Sequence, residues 1–115
     1  MYNQKELLER LNEKMNLKDV QNYVHDMVKL RGFDNESAKD IMLLMTEEIG
    51  ELAKALRKHS GLKTDVNKDN YKPIAGELAD VFIYLVDLCN VLEIDLFTAF
   101  KEKEEINAKR FWGVR

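Results

Sequence analysis

Proline is almost absent from this sequence, and glycine is scarce. One proline (Pro73) and five glycines in 115 residues leave few forced turns, whereas an all-β fold of this length needs a turn signal about every ten residues. One cysteine, Cys89, excludes an internal disulfide. Set in an apolar run, it reads as a small buried hydrophobe. The two histidines, His25 and His59, have no ligand-type spacing, so zinc is not expected. Neither has a glutamate three residues ahead of it, which removes the Glu-x-x-His pairs of a di-iron bundle; both read as surface or cap residues. There is no basic excess: 18 Lys and Arg stand against 21 Asp and Glu, for a net charge of −3. That weighs against coating a nucleic-acid polymer. No apolar stretch approaches the ~20 residues needed to span a bilayer, and the polar start Met1–Glu6 does not read as a signal peptide. No membrane and a reducing cytoplasm are the expectations.

What remains is rich in Leu, Glu, Lys, Ala and Met, the strong helix formers. The periodicity predicts a single all-α domain over 1–115, an antiparallel bundle of four to five helices. A short amphipathic segment covers roughly 3–14. A second helix starts after Asn16, a candidate N-cap with Asp19 at the third position, and stops at Gly32. A third runs from near Asn35 to near His59. A polar connection, Leu62 to Tyr71, joins it to a fourth from about Pro73 to Leu92. Asp95 caps a fifth that reaches about Trp112.

The third helix carries one apolar stripe: Ala38, Ile41, Met42, Met45, Ile49, Leu52 and Leu56. Glu47, Glu48 and Glu51 cluster beside it at helical spacing, where like charges destabilise unless neutralised. The fourth helix is apolar over most of its circumference, the mark of a buried helix. Yet Glu77, Asp80, Tyr84 and Asp87 fall on one stripe of it. Unpaired carboxylates there are costly, so cations must compensate. Two antiparallel helices, each with a carboxylate pair at i and i+3, form a four-carboxylate cage of Glu48, Glu51, Glu77 and Asp80. All-oxygen, high-charge sites suit Mg²⁺, Mn²⁺ or Ca²⁺. In the fifth helix the stripe Leu96, Ala99, Phe100 continues into Lys103, Asn107 and Arg110, a reasonable phosphate cradle.

These residues form a recognisable pattern. Glu47-Glu48-Ile49-Gly50-Glu51 followed by Glu77-Leu78-Ala79-Asp80 resembles the Glu-Glu-x-x-Glu … Glu-x-x-Asp signature of the MazG-like, all-α nucleoside triphosphate pyrophosphohydrolases, and the closing Lys103-x-x-x-Asn107-x-x-Arg110 is similar too. The resemblance spans about 17–112. It implies a helical bundle assembled as a symmetric oligomer, a homodimer or homotetramer. It implies Mg²⁺ as cofactor, with Mn²⁺ as a substitute, and cleavage of a nucleotide between its α- and β-phosphates. Carried over by position, Glu48, Glu51, Glu77 and Asp80 would hold metal. Glu47 would orient or deprotonate the attacking water, and Lys103, Asn107 and Arg110 would hold phosphate. Tyr84 would lie near base or sugar. Lys54 either pairs with Glu51 or reaches phosphate. Tyr23, Phe33 and Trp112 are the other aromatic candidates for a substrate pocket. Two other readings of the same residues are a non-catalytic helical assembly or partner-binding module, and a Ca²⁺-binding bundle; neither would release pyrophosphate.

Overall fold

A computed structural model of the chain describes residues 3–59 and 71–110. It contains five helices, α1 (Gln4–Glu9), α2 (Leu17–Leu30), α3 (Ala38–His59), α4 (Tyr71–Val91) and α5 (Leu96–Ala108), and no strand among the described residues. The expected polar connection lies outside the described residues except for Tyr71, which opens α4, as does Trp112 at the expected end of α5.

Local chemistry sets the ends. Asn16 accepts from the Asp19 amide at 2.8 Å while the Asp19 carboxylate accepts from the Asn16 amide, a complete capping box. Ser37 and Asp40 make the same reciprocal pair at the start of α3. Asp95 caps α5 by accepting from the Thr98 amide. The second helix ends where glycine was expected to stop it: Gly32 has φ +79°, and the amides of Gly32 and Phe33 donate to the carbonyls of Lys29 and Val28. This is a Schellman motif. A similar one closes α4, with Glu93 in the left-handed region. The first helix is shorter than its amphipathic pattern predicts. Asn12 donates to the Arg10 carbonyl and accepts from the Lys14 amide, a local alternative that competes with another helical turn.

The buried core joins α1, α2 and α4: Leu7, Tyr23, Val24, Met27, Val28 and Val86. Arg10 ties α1 to α2 through a 2.7 Å ion pair with Asp26 and sits over the Tyr23 ring. At the other end of α2, Gln21 is buried and fully used. It donates to Asn90 Oδ1 and the Ile94 carbonyl, and accepts from the Leu96 amide, while Asn90 donates back to the Gln21 carbonyl. One side chain thus fixes α2 against the corner between α4 and α5.

The most extensive contact is between α3 and α4, followed by α2 with α4. α4 is therefore the centre of the fold, but it is not buried on all sides as its composition predicts. Ile74, Val86 and Cys89 are buried, whereas Leu78, Phe82, Leu85 and Val91 are exposed, because only α2 and α3 pack extensively against it. On α3, Ile41 and Met45 are buried while Met42, Ile49 and Leu56 of the same stripe are exposed. The radius of gyration, 17.3 Å, exceeds the roughly 13 Å of a compact domain near this size.

Replacing Gln21 with Ala should lower unfolding free energy by about 2–4 kcal/mol, since it strands the Leu96 amide, the Ile94 carbonyl and the Asn90 side chain in a buried place. Urea denaturation followed by far-UV circular dichroism measures this; a loss below about 0.5 kcal/mol would mean the clamp is not holding the corner.

Candidate metal centre

Residues 44–48 of α3 meet 80–84 of α4 along one cavity, and 51–58 meet 73–77 along a neighbouring cleft. Numbers rise on one helix as they fall on the other, so the pair is antiparallel. The faces that meet are the acidic ones. Glu48, Glu77 and Asp80 each offer a carboxylate oxygen within 4.8 Å of the others. At that separation each pair of like charges repels by roughly 1–4 kcal/mol, depending on solvent access. Helix packing holds them there regardless.

The electrostatics record the crowding. A hydrogen bond shared with Glu77 pushes the Glu48 carboxyl above its ordinary value near 4.5, assisted by partial burial and by the charges of Glu77, Asp80 and Glu51. The Tyr84 hydroxyl is raised as well, by burial and then by Glu48, Glu36, Asp80 and Glu47. Glu77 Oε2 is buried with no hydrogen-bond partner. A buried carboxylate oxygen with nothing to accept from is costly to keep, and its residue is one of the three in the acidic cluster. The donor set is hard oxygen only, which fits Mg²⁺, Mn²⁺ or Ca²⁺ and not a soft metal.

Three of the four expected ligands are brought together; Glu51 is exposed and stands one turn further along α3. It lines the neighbouring cleft of about 270 Å³ with Lys54, Lys58, Pro73 and Glu77. Glu51 and Lys54 form no ion pair among the described residues, so Lys54 is a cation at the edge of the acidic cluster. Glu47 is exposed, near enough for its charge to reach Tyr84. Lys103 and Asn107 sit on α5 and Arg110 just beyond its end; α5 packs chiefly against α2, and none of the three lines these cavities. His25 is exposed beside Asp26, Cys89 is buried with its thiol pushed up by burial, and neither joins the cluster.

From Glu48, Asp80 and Tyr84 a cavity of about 480 Å³ extends between α2 and α4 toward Asp87, walled by Met27, Val28, Phe33, Leu44 and Ile83. Glu36 and Arg31, also on its wall, were not anticipated. They flank the short connection between α2 and α3, where no periodicity signals a role. Phe33 was anticipated as an aromatic of the pocket; Tyr23 is instead a core residue under Arg10.

Against known proteins, the family model of the MazG nucleotide pyrophosphohydrolase domain matches residues 36–110. That span holds the whole acidic cluster, Tyr84, Asp87 and the polar residues of α5. No curated protein matches the chain.

A stability signature follows from Glu48. Its folded-state value is raised, so the folded chain holds this proton to higher pH than the unfolded chain, and stability falls as pH rises from about 4.5 through the raised value. Asp87, raised by burial and by the Glu36 charge, adds in the same sense. Asp26, Asp40 and Asp95 have lowered values and act oppositely, losing their contribution only as pH falls below 3.8. Metal-free protein should therefore melt at a lower temperature at pH 7 than at pH 5. Mg²⁺ should raise the pH 7 melting temperature by several degrees and the pH 5 value by less, with Glu48→Gln blunting both effects. Equal Mg²⁺ responses at the two pH values would contradict this account of the cluster.

Proposed function

Since the chain belongs to the MazG nucleotide pyrophosphohydrolase family, we propose that it hydrolyses a nucleoside triphosphate between the α- and β-phosphates, releasing a nucleoside monophosphate and pyrophosphate. The observation that carries this reading is the partnerless, buried oxygen of Glu77, whose carboxylate converges with those of Glu48 and Asp80, the two that border a nucleoside-sized cavity. Glu48, Glu77 and Asp80 would hold Mg²⁺, with Glu51 within reach of a second ion or a shared shell. When bound, Mg²⁺ supplies Lewis-acid polarisation and offsets the charge of the polyphosphate.

The remaining work falls to the chain's own groups. Glu47, exposed and next to Glu48, orients water and accepts its proton as the water oxygen attacks the α-phosphorus. The bond from that phosphorus to the bridging oxygen breaks, and pyrophosphate leaves with the electron pair. Lys54, on the same cleft as Glu77, would meet negative charge on the leaving group. Tyr84 borders the cavity one turn beyond Asp80 and would lie along the sugar or base.

Lys103, Asn107 and Arg110 would serve phosphate from a second copy of the chain. Two features favour assembly: the exposed α4 stripe Leu78, Phe82, Leu85, and the exposed Phe97 and Phe100 on α5. Apolar surface on this scale marks an interface. A symmetric dimer, or a dimer of dimers, would cover it and could bring α5 of one copy to the carboxylates of another.

Incubation with Mg²⁺ and a panel of ribo- and deoxyribonucleoside triphosphates should yield pyrophosphate without orthophosphate. Glu77→Gln should reduce turnover at least 100-fold, and Glu47→Gln about 10²- to 10⁴-fold if it is the base. Orthophosphate as the product would move the cleavage to the wrong bond; near-full turnover by Glu47→Gln would remove that residue's role. Sedimentation at micromolar concentration should show a dimer or tetramer, shifted toward monomer by Phe82→Glu, with activity falling in parallel. A wild-type monomer at full activity would sink the assembly argument.

A further inference from the structure

Asp87 is the group that neither the core nor the proposed phosphate chemistry uses. It is only 8% exposed, yet no hydrogen bond or ion pair satisfies it among the described residues. Its exposed remnant faces two adjoining cavities, the one that begins at the acidic cluster and another of about 330 Å³. His25, Lys29 and Arg31 border the same spaces, and none forms an ion pair with it. The nearby Asn90 amide is committed to Gln21. The Asp87 carboxyl therefore opens, without a protein donor among the described residues, onto these two cavities, where an incoming donor can meet it.

The position is informative. Asp80 and Asp87 are two turns apart on α4, about 10 Å along the axis at 1.5 Å per residue, the span from a phosphate at one end of a nucleotide, across its sugar, to the outer edge of its base. The walls between them, Met27, Val28, Phe33 and Ile83, are apolar and suit a flat ring. A polar group at the far end of an apolar slot fixes orientation and identity more than it adds affinity.

We infer that Asp87 reads the nucleobase: its carboxyl accepts a hydrogen bond from an exocyclic amine, so that cytosine or adenine is taken in preference to uracil or hypoxanthine. This rests on the reading of the acidic cluster as the phosphate end of the site. Cytosine and adenine carry an amine where their deaminated forms carry a carbonyl. A carbonyl placed against a carboxyl oxygen sets acceptor against acceptor, and in a place shielded from water such a mismatch is rejected strongly.

The test compares base pairs that differ only in this group. Metal-free binding of deoxycytidine and deoxyuridine monophosphates is measured by calorimetry, and kcat/KM is measured for the triphosphates of cytosine, uracil, adenine and hypoxanthine. The wild type should favour the amino member of each pair at least tenfold. Asp87→Asn, whose amide can donate to a carbonyl, should collapse or invert that ratio; Asp87→Ser should lose the ratio as well and serves if the amide variant does not fold. A variant ratio within twofold of wild type, or no wild-type preference by either measure, overturns the inference. Should the wild type release no pyrophosphate but bind the amino monophosphate selectively through Asp87, the inference stands and the hydrolytic reading falls.

Discussion

The structure turns on a repulsion that packing refuses to relieve. α3 and α4 have the most extensive contact in the fold, and at its heart they press Glu48, Glu77 and Asp80 together, within 4.8 Å. A pair of helices free to choose would rotate these faces toward water. Rotation is blocked because the same surfaces carry Ile41, Met45 and Ile74 into the interior, and because α4 is also committed to α2 through Val86 and the Gln21–Asn90 clamp. The hydrophobic effect and a few buried hydrogen bonds thus hold an arrangement that electrostatics alone would disperse. Energy stored this way is recovered by whatever positive charge enters, so a cation is bound by a frame already closed around it.

A second constraint comes from size. Five helices of this length cannot cover one another in a single copy. α5 reaches mainly α2, α1 reaches α2, and the outer faces of α3 and α4 are left apolar and exposed. The extended outline has the same origin. What looks like an incomplete core in one chain is consistent with a surface reserved for association.

Much of this was legible in the sequence. The helical period, the Asn16 and Asp95 caps, the Gly32 stop and the two acidic pairs depend on neighbours within one turn, and short-range rules read them well. Reach was harder to read. Nothing in the pattern around Gln21 distinguishes it from an exposed polar residue of α2, because its partners lie some 70 positions away. Glu36 and Arg31 sit at helix margins where no spacing marks them. The composition of α4 overstated its burial, since periodicity reports that a face is apolar without saying which molecule covers it. Asp87 was visible on the stripe of Glu77, Asp80 and Tyr84, but only the fold separates it from that cluster and sets it at the far end of a cavity.

The division of the cavity between elements has a further consequence. Its charged mouth belongs to α3 and α4, while α2 and the residue that follows its Schellman turn supply Met27, Val28 and Phe33 without contributing a carboxylate to the cluster. The acidic frame and the apolar walls that α2 supplies are therefore carried by different segments of the chain, while Asp87 shares α4 with the cluster. Drift in α2 can reshape those walls while the acidic frame stays under its own constraint.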